Sequence, residues 1–203
     1  MSANISTMHF LTRFRWPFDA ERKRMNLIVV TAKNWAIGKD NDLLFSLPED
    51  MKYFRQVSRG KTVVMGRKTL ESFPGAKPLP NRRNLVLTRD SAYEKEGAAI
   101  CHSEEELLSR LADTPEEEIL IIGGGEIYAR FLDRCLLAYV TRVETPVPDA
   151  DQFFPDLSLR QEWKLLSQSE EKEQNGHRFR FCVYENQNPV KWKTHLTSEK
   201  NHL

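Results

Sequence analysis

Apolar positions along the chain fall into two kinds of pattern. Short runs rich in β-branched and aromatic residues recur at 26–32, 62–65, 84–88, 98–101, 119–122, 138–143 and 178–185, with a weaker one at 164–169, and these predict strands. Between them, apolar residues three and four apart predict helices over 48–58, 68–73, 103–112 and 126–132. Pro48 suits a first helical position, and Ser103 followed by Glu106 forms a capping box. Positions 27–30 and 119–122 are apolar at every residue, as expected of strands covered on both faces in a largely parallel sheet. The last two runs are joined by turn-like residues 173–176 and read as an antiparallel hairpin. The pattern predicts one α/β domain: a mixed, mostly parallel eight-stranded sheet with a C-terminal antiparallel hairpin and helices on both faces.

Charge divides the chain differently. The 203 residues carry 30 basic and 29 acidic side chains, a balance that argues against disorder and against a general polyanion binder, so no nucleic-acid partner is expected. Residues 1–25 hold five basic and two acidic side chains and 187–203 hold three and one, leaving 26–186 with a net charge of −4. We therefore divide the chain into an N-terminal extension (1–25), a central domain (26–186) and a C-terminal tail (187–203). The leader is read as an upstream start or a loosely docked extension, since Asp19 and Glu21 weaken a targeting reading. No apolar run approaches the roughly 20 residues of a membrane-spanning helix, and Cys101, Cys135 and Cys182 are too scattered for a disulfide framework or a zinc site. A soluble, cytoplasmic monomer without metal or membrane contact is expected.

Three places could carry chemistry. In the helix beginning Leu47-Pro48-Glu49-Asp50, the spacing puts Asp50, Met51, Phe54 and Val57 on one side. Acids in a first turn usually serve the helix dipole, a role Glu49 can fill. An inward Asp50 instead suits a polar ligand at the floor of an apolar pocket. The run 119–122 enters Gly123-Gly124-Gly125 and then a helix, an arrangement that brings backbone amides close to a phosphate. It is neither the usual dinucleotide fingerprint nor a Walker loop. A second strand-to-helix junction, Val64-Met65-Gly66-Arg67-Lys68-Thr69, sets two cations where they oppose the dipole, and Arg89 follows the strand at 84–88. Two phosphate corners imply a dinucleotide, and the additional cations favour the phosphorylated nicotinamide form.

These segments, in this order, resemble dihydrofolate reductase over 26–185. The matching motifs are Asn34-Trp35-Ala36-Ile37-Gly38 with Asn41, Leu47-Pro48-Glu49-Asp50-Met51, Val64 to Thr69, Pro78-Leu79-Pro80-Asn81-Arg82, Ile121 to Tyr128, Tyr139-Val140-Thr141 and Phe154-Pro155-Asp156. The resemblance implies NADPH-dependent reduction of 7,8-dihydrofolate to tetrahydrofolate in one-carbon metabolism, with hydride delivered to C6 of the pterin and a proton to N5, and antifolates as inhibitors. It implies that Asp50 binds the 2-amino group and N3, supported by Thr141, and that Arg82 clamps the α-carboxylate of the glutamate tail. Ile28, Val30, Met51, Phe54, Leu79 and Tyr128 would complete the substrate site. Ala32, Ile37, Gly38, Gly66, Arg67, Lys68, Thr69, Thr88, Arg89, Gly123, Gly124, Gly125, Glu126 and Ile127 would hold the cofactor. Residues 32–47 would be the mobile loop over the nicotinamide.

Two departures stand out. Leu44-Phe45 replaces the family's usual Pro-Trp, so an indole donor near the pterin is lost, and Glu126 is an acid beside the expected pyrophosphate, where it should point outward. Two competing readings are a riboflavin-pathway reductase of related fold and a noncatalytic nucleotide-binding module. The Asp50 motif and the Leu79-Pro80-Asn81-Arg82 motif favour the folate enzyme over the first, and the net charge of −4 over 26–186, without aromatic–basic interleaving, argues against the second.

Overall fold

The alternating apolar runs become a twisted sheet with helices on each side. The computed structural model describes residues 24–191, so the reading of 1–23 as an extension and most of the tail reading lie outside the described residues. In chain order the strands are β1 (Met25–Thr31), β2 (Ala36–Lys39), β3 (Asp42–Leu43), β4 (Thr62–Gly66), β5 (Arg83–Leu87), β6 (Ala99–Cys101), β7 (Ile119–Gly123), β8 (Cys135–Val143), β9 (Gln152–Phe153), β10 (Trp163–Gln168), β11 (Lys172–Gln174) and β12 (His177–Asn186). The α-helices are α1 (Pro48–Ser58), α2 (Arg67–Glu71), α3 (Glu104–Leu111) and α4 (Gly125–Phe131). Eight strands run in the order β10-β12-β8-β1-β7-β4-β5-β6, with β11 folded back on β12 as a ninth. From β8 to β6 every neighbour is parallel, while β10, β11 and β12 pair antiparallel.

The period of two along each strand divides the core into two layers. Leu27, Val29, Val64, Leu85, Ile119 and Ile121 pack on one face with Leu107 and Leu111 of α3 and Ile127, Tyr128 and Phe131 of α4. Ile28, Val63, Met65, Val86, Leu120 and Ile122 pack on the other with Tyr53 of α1 and Leu70 of α2. Each fully buried Leu or Phe contributes about 2 kcal/mol against exposure. Two short helices were expected to begin slightly later than they do: α2 starts at Arg67 and α4 at Gly125, directly after their strands.

A second, three-stranded sheet, β3-β2-β9, was not expected. Its hairpin turns at Asp40 and Asn41, both with positive φ (52° and 64°), the geometry that matches strand twist in a two-residue turn. Half of residues 32–47, expected as a loop, therefore forms a ribbon over 36–43 that pairs with 152–153.

Candidate active site

Helix α1 opens on Pro48, and its third residue, Asp50, is only 7% exposed. Strand β8 brings Thr141 opposite, fully buried, and its hydroxyl donates to Asp50 Oδ1 at 2.6 Å. Burial raises the Asp50 pKa from 3.8 to about 6, while the Thr141 hydrogen bond, which favours the charged form, pulls it down. The two residues assigned the acid role and its support therefore meet.

The apolar set gathers beside them. Ile28 is buried, and Val30, Phe54 and Leu79 are half-buried against the same core layer. Met51 is exposed, so it does not share Asp50's inward side as the spacing suggested. Tyr53 does: it is buried, and its ring packs against Phe181 at 4.6 Å. The inward stripe runs through Asp50 and Tyr53, three residues apart, rather than through Met51. Tyr128 lies in the opposite core layer, where its hydroxyl donates to the Ile28 carbonyl at 2.6 Å. It braces the strand that carries Ile28. Phe45 is half-buried, with its ring edge-on to His177 at 5.0 Å.

Beyond the C-terminal end of α1, Arg82 Nη1 donates to Ser58 Oγ at 3.1 Å and its Nε to the Pro80 carbonyl at 3.0 Å. Partial burial lowers its pKa, and the neighbouring charges of Arg55 and Arg59 lower it further. Three guanidinium groups thus share one region, well suited to carboxylates. Arg55 and Arg59 were missed in the sequence, although a spacing of four across the helix end could have revealed them.

The glycine turns form a second corner. Strands β4 and β7 are parallel neighbours that end together, at Gly66 and Gly123. A Cβ on Gly124 would sit 3.3 Å from Thr69 Oγ1, and one on Gly66 would sit 3.3 Å from Ile127 Cγ1. The starts of α2 and α4 therefore approach each other across bare backbone. Around this corner, Arg67 pairs with Glu71 at 3.0 Å, Lys68 is exposed, and Thr88 is buried with its Oγ1 accepting from Asp90 N–H. Arg89 and Glu126 are 90% and 81% exposed and face each other at 3.7 Å, so Glu126 does point outward. A surface pair of this kind is worth less than about 1 kcal/mol and leaves Arg89 available to an anion.

The ribbon adjoins the same corner: Ile37 Cδ1 lies 3.9 Å from a Cβ placed on Gly125, and Gly38 pairs with Leu43. Ala32 is buried at its base, donating to Ala36. Arg142 grips that base, donating to Thr31 Oγ1 and to the Ala32 and Lys33 carbonyls at 3.0–3.2 Å, and stacks 4.0 Å over Trp35. Asp151 accepts from Asp40 N–H and donates its own N–H to Gly38, and Lys39 pairs with Asp149.

The family model "Dihydrofolate reductase" matches residues 24–186. Among curated proteins, the chain is 41% identical over 160 residues to the dihydrofolate reductase of Haemophilus influenzae, covering 78% of this chain and 96% of that one. It is 34% identical over 169 residues to the Bacillus subtilis enzyme of the same name, covering 82% and 97%. Among solved structures, dihydrofolate reductase from Enterococcus faecalis, complexed with NADP(H) and RAB-propyl, superposes with a TM-score of 0.71 at 30% identity, covering 81% of this chain and 97% of that one.

Proposed function

Because the chain belongs to the dihydrofolate reductase family, we propose that Asp50, with Thr141 donating to it, is the group that anchors the pterin of its substrate. The enzyme reduces 7,8-dihydrofolate to 5,6,7,8-tetrahydrofolate with NADPH, a step of folate metabolism. The observation that carries the assignment is the carboxyl of Asp50, 7% exposed and hydrogen-bonded to a hydroxyl on a neighbouring strand. At neutral pH such a group is ionised but poorly solvated. A heterocycle edge with two N–H donors restores what water would have supplied, so binding relieves a strain the free enzyme carries.

The remaining side chains divide the work. Ile28, Val30, Phe54 and Leu79 wall the ring and exclude water, which strengthens every polar contact inside. Met51, exposed beside them, lies at the rim. Arg82 clamps the α-carboxylate of the glutamate tail. The residues present fit NADPH, because a Cβ at Gly66, Gly123 or Gly124 would crowd Ile127, Tyr128 or Thr69, so these strand ends and helix starts are bare backbone that a pyrophosphate can approach closely. Arg67, Lys68 and Arg89 would take the extra phosphate, with Thr69, Thr88, Gly125, Ile127, Ala32, Ile37 and Gly38 around the rest of the cofactor. When bound, NADPH supplies the hydride that reaches pterin C6. Asp50 favours the cationic, N5-protonated ring by its charge, and Phe45 contributes an apolar surface with no donor. Diaminopyrimidine antifolates present the same donor edge and would pair with Asp50 directly.

The family match to 24–186 supports 26–186 as the catalytic unit, and the free thiols of Cys101, Cys135 and Cys182 suit the cytoplasm. Arg82→Lys tests the assignment. A lysine cannot form the bidentate pair, so KM for dihydrofolate rises about tenfold with KM for NADPH unchanged. Equal losses for both would contradict it.

A further inference from the structure

Helix α1 has no side-chain cap of its own. Leu47 occupies the cap position and offers no acceptor, and Pro48 has no N–H, so the Glu49 amide is the helix's first donor. That amide donates to Gln174 Oε1 at 3.0 Å. Gln174 ends β11, at the tip of the β11–β12 hairpin, and its neighbours hold the same stretch of chain. Asn175 Nδ2 donates to the Ser46 carbonyl at 2.7 Å, Lys172 Nζ pairs with the Glu49 carboxylate at 2.9 Å, and the His177 ring meets Phe45. Four residues of one hairpin grip 45–49, and Asp50 comes next.

We propose that the β11–β12 hairpin is a clasp that sets Asp50 against Thr141, with Gln174 as its principal positioning residue. The proposal rests on the reading of Asp50 as the pterin anchor. The physical ground is that an uncapped first turn frays, and a cap supplied from elsewhere in the chain does the work of a local one. Asp50 sits inside that turn, so its carboxyl is held only as firmly as the turn is. The Asn175-Gly176 turn, with φ of 52° and 78°, leaves the Gln174 and Asn175 side chains on the side of α1. The titratable groups facing Asp50 are the phenols of Tyr53 on α1 and Tyr128 on α4, both pushed up by burial and neutral at the pH values of interest. The Lys172–Glu49 pair is the charged contact at the clasp itself.

The test reads the Asp50 carboxyl directly, by carbon-13 NMR titration, together with the steady-state constants of the full chain. Gln174→Ala loosens the turn and admits water, so the Asp50 midpoint moves down by about half a pH unit toward the ordinary carboxylate value. The same variant lowers kcat/KM for dihydrofolate about tenfold, with KM for NADPH unchanged. Gln174→Glu keeps an acceptor oxygen and restores kcat/KM. Asn175→Gly, which keeps the turn but loses the donor to Ser46, moves both readouts the same way as Gln174→Ala. An Asp50 midpoint and kinetic constants unchanged in Gln174→Ala, or a loss shared equally by both ligands, would overturn the clasp. A wild-type chain that failed to turn over dihydrofolate would instead overturn the functional reading, and the Asp50 midpoint would still decide the clasp.

Discussion

A carboxyl raised from 3.8 to about 6 is one that the fold holds at a cost. Below pH 4 Asp50 is protonated in both the folded and the unfolded chain, and burial carries no charge penalty. As pH rises, the unfolded chain loses the proton first, so the folded state is progressively disfavoured until Asp50 ionises in it too. Stability present below pH 4 is therefore lost by about pH 7. Asp50→Asn, which can still accept from Thr141, is expected to be more stable than wild type above pH 7, by as much as about 3 kcal/mol, with no difference at pH 3.5. Urea unfolding at the two pH values checks this, and a variant equally stable at both would contradict it. The inward position of Asp50 was legible because helical spacing is a local rule. That the stripe passes through Tyr53 rather than Met51 was not, because the choice is made by Phe181 and Tyr139 on other strands.

Among the elements, the paired ends of β4 and β7 matter most. Gly123 has a φ of 120°, which side-chain-bearing residues rarely adopt, and a Cβ there would lie 3.2 Å from the Tyr128 ring. Gly123→Ala is expected to cost about 2 kcal/mol of stability and to weaken NADPH more than dihydrofolate. Thermal melts and equilibrium titration of each ligand decide it, and an unaltered NADPH affinity would show that the corner does not hold the cofactor. The glycines and both strands were legible from composition and period. The β3-β2-β9 ribbon was not, because strands of two to four residues carry almost no periodic signal. The Asp40-Asn41 turn could be read locally, but its anchors at Asp149 and Asp151 lie about a hundred positions away.

For the molecule as a whole, all eight expected strands and four helices form, because apolar runs covered on both faces leave a chain of this length few alternatives to a helix-wrapped sheet. What a linear reading cannot supply is which surfaces meet: Gln174 on Glu49, Arg142 on the base of the ribbon, Thr141 on Asp50. No helix among the described residues is long and apolar enough to cross a membrane. If Asp50 and the glycine corner hold different ligands as proposed, ring binding and cofactor binding separate under mutation. The most direct measurement is NADPH oxidation with dihydrofolate at pH 7 by wild type and Asp50→Asn, alongside NADPH binding. The account predicts a fall in turnover of about a hundredfold or more with NADPH affinity unchanged; turnover within a factor of two of wild type would contradict it.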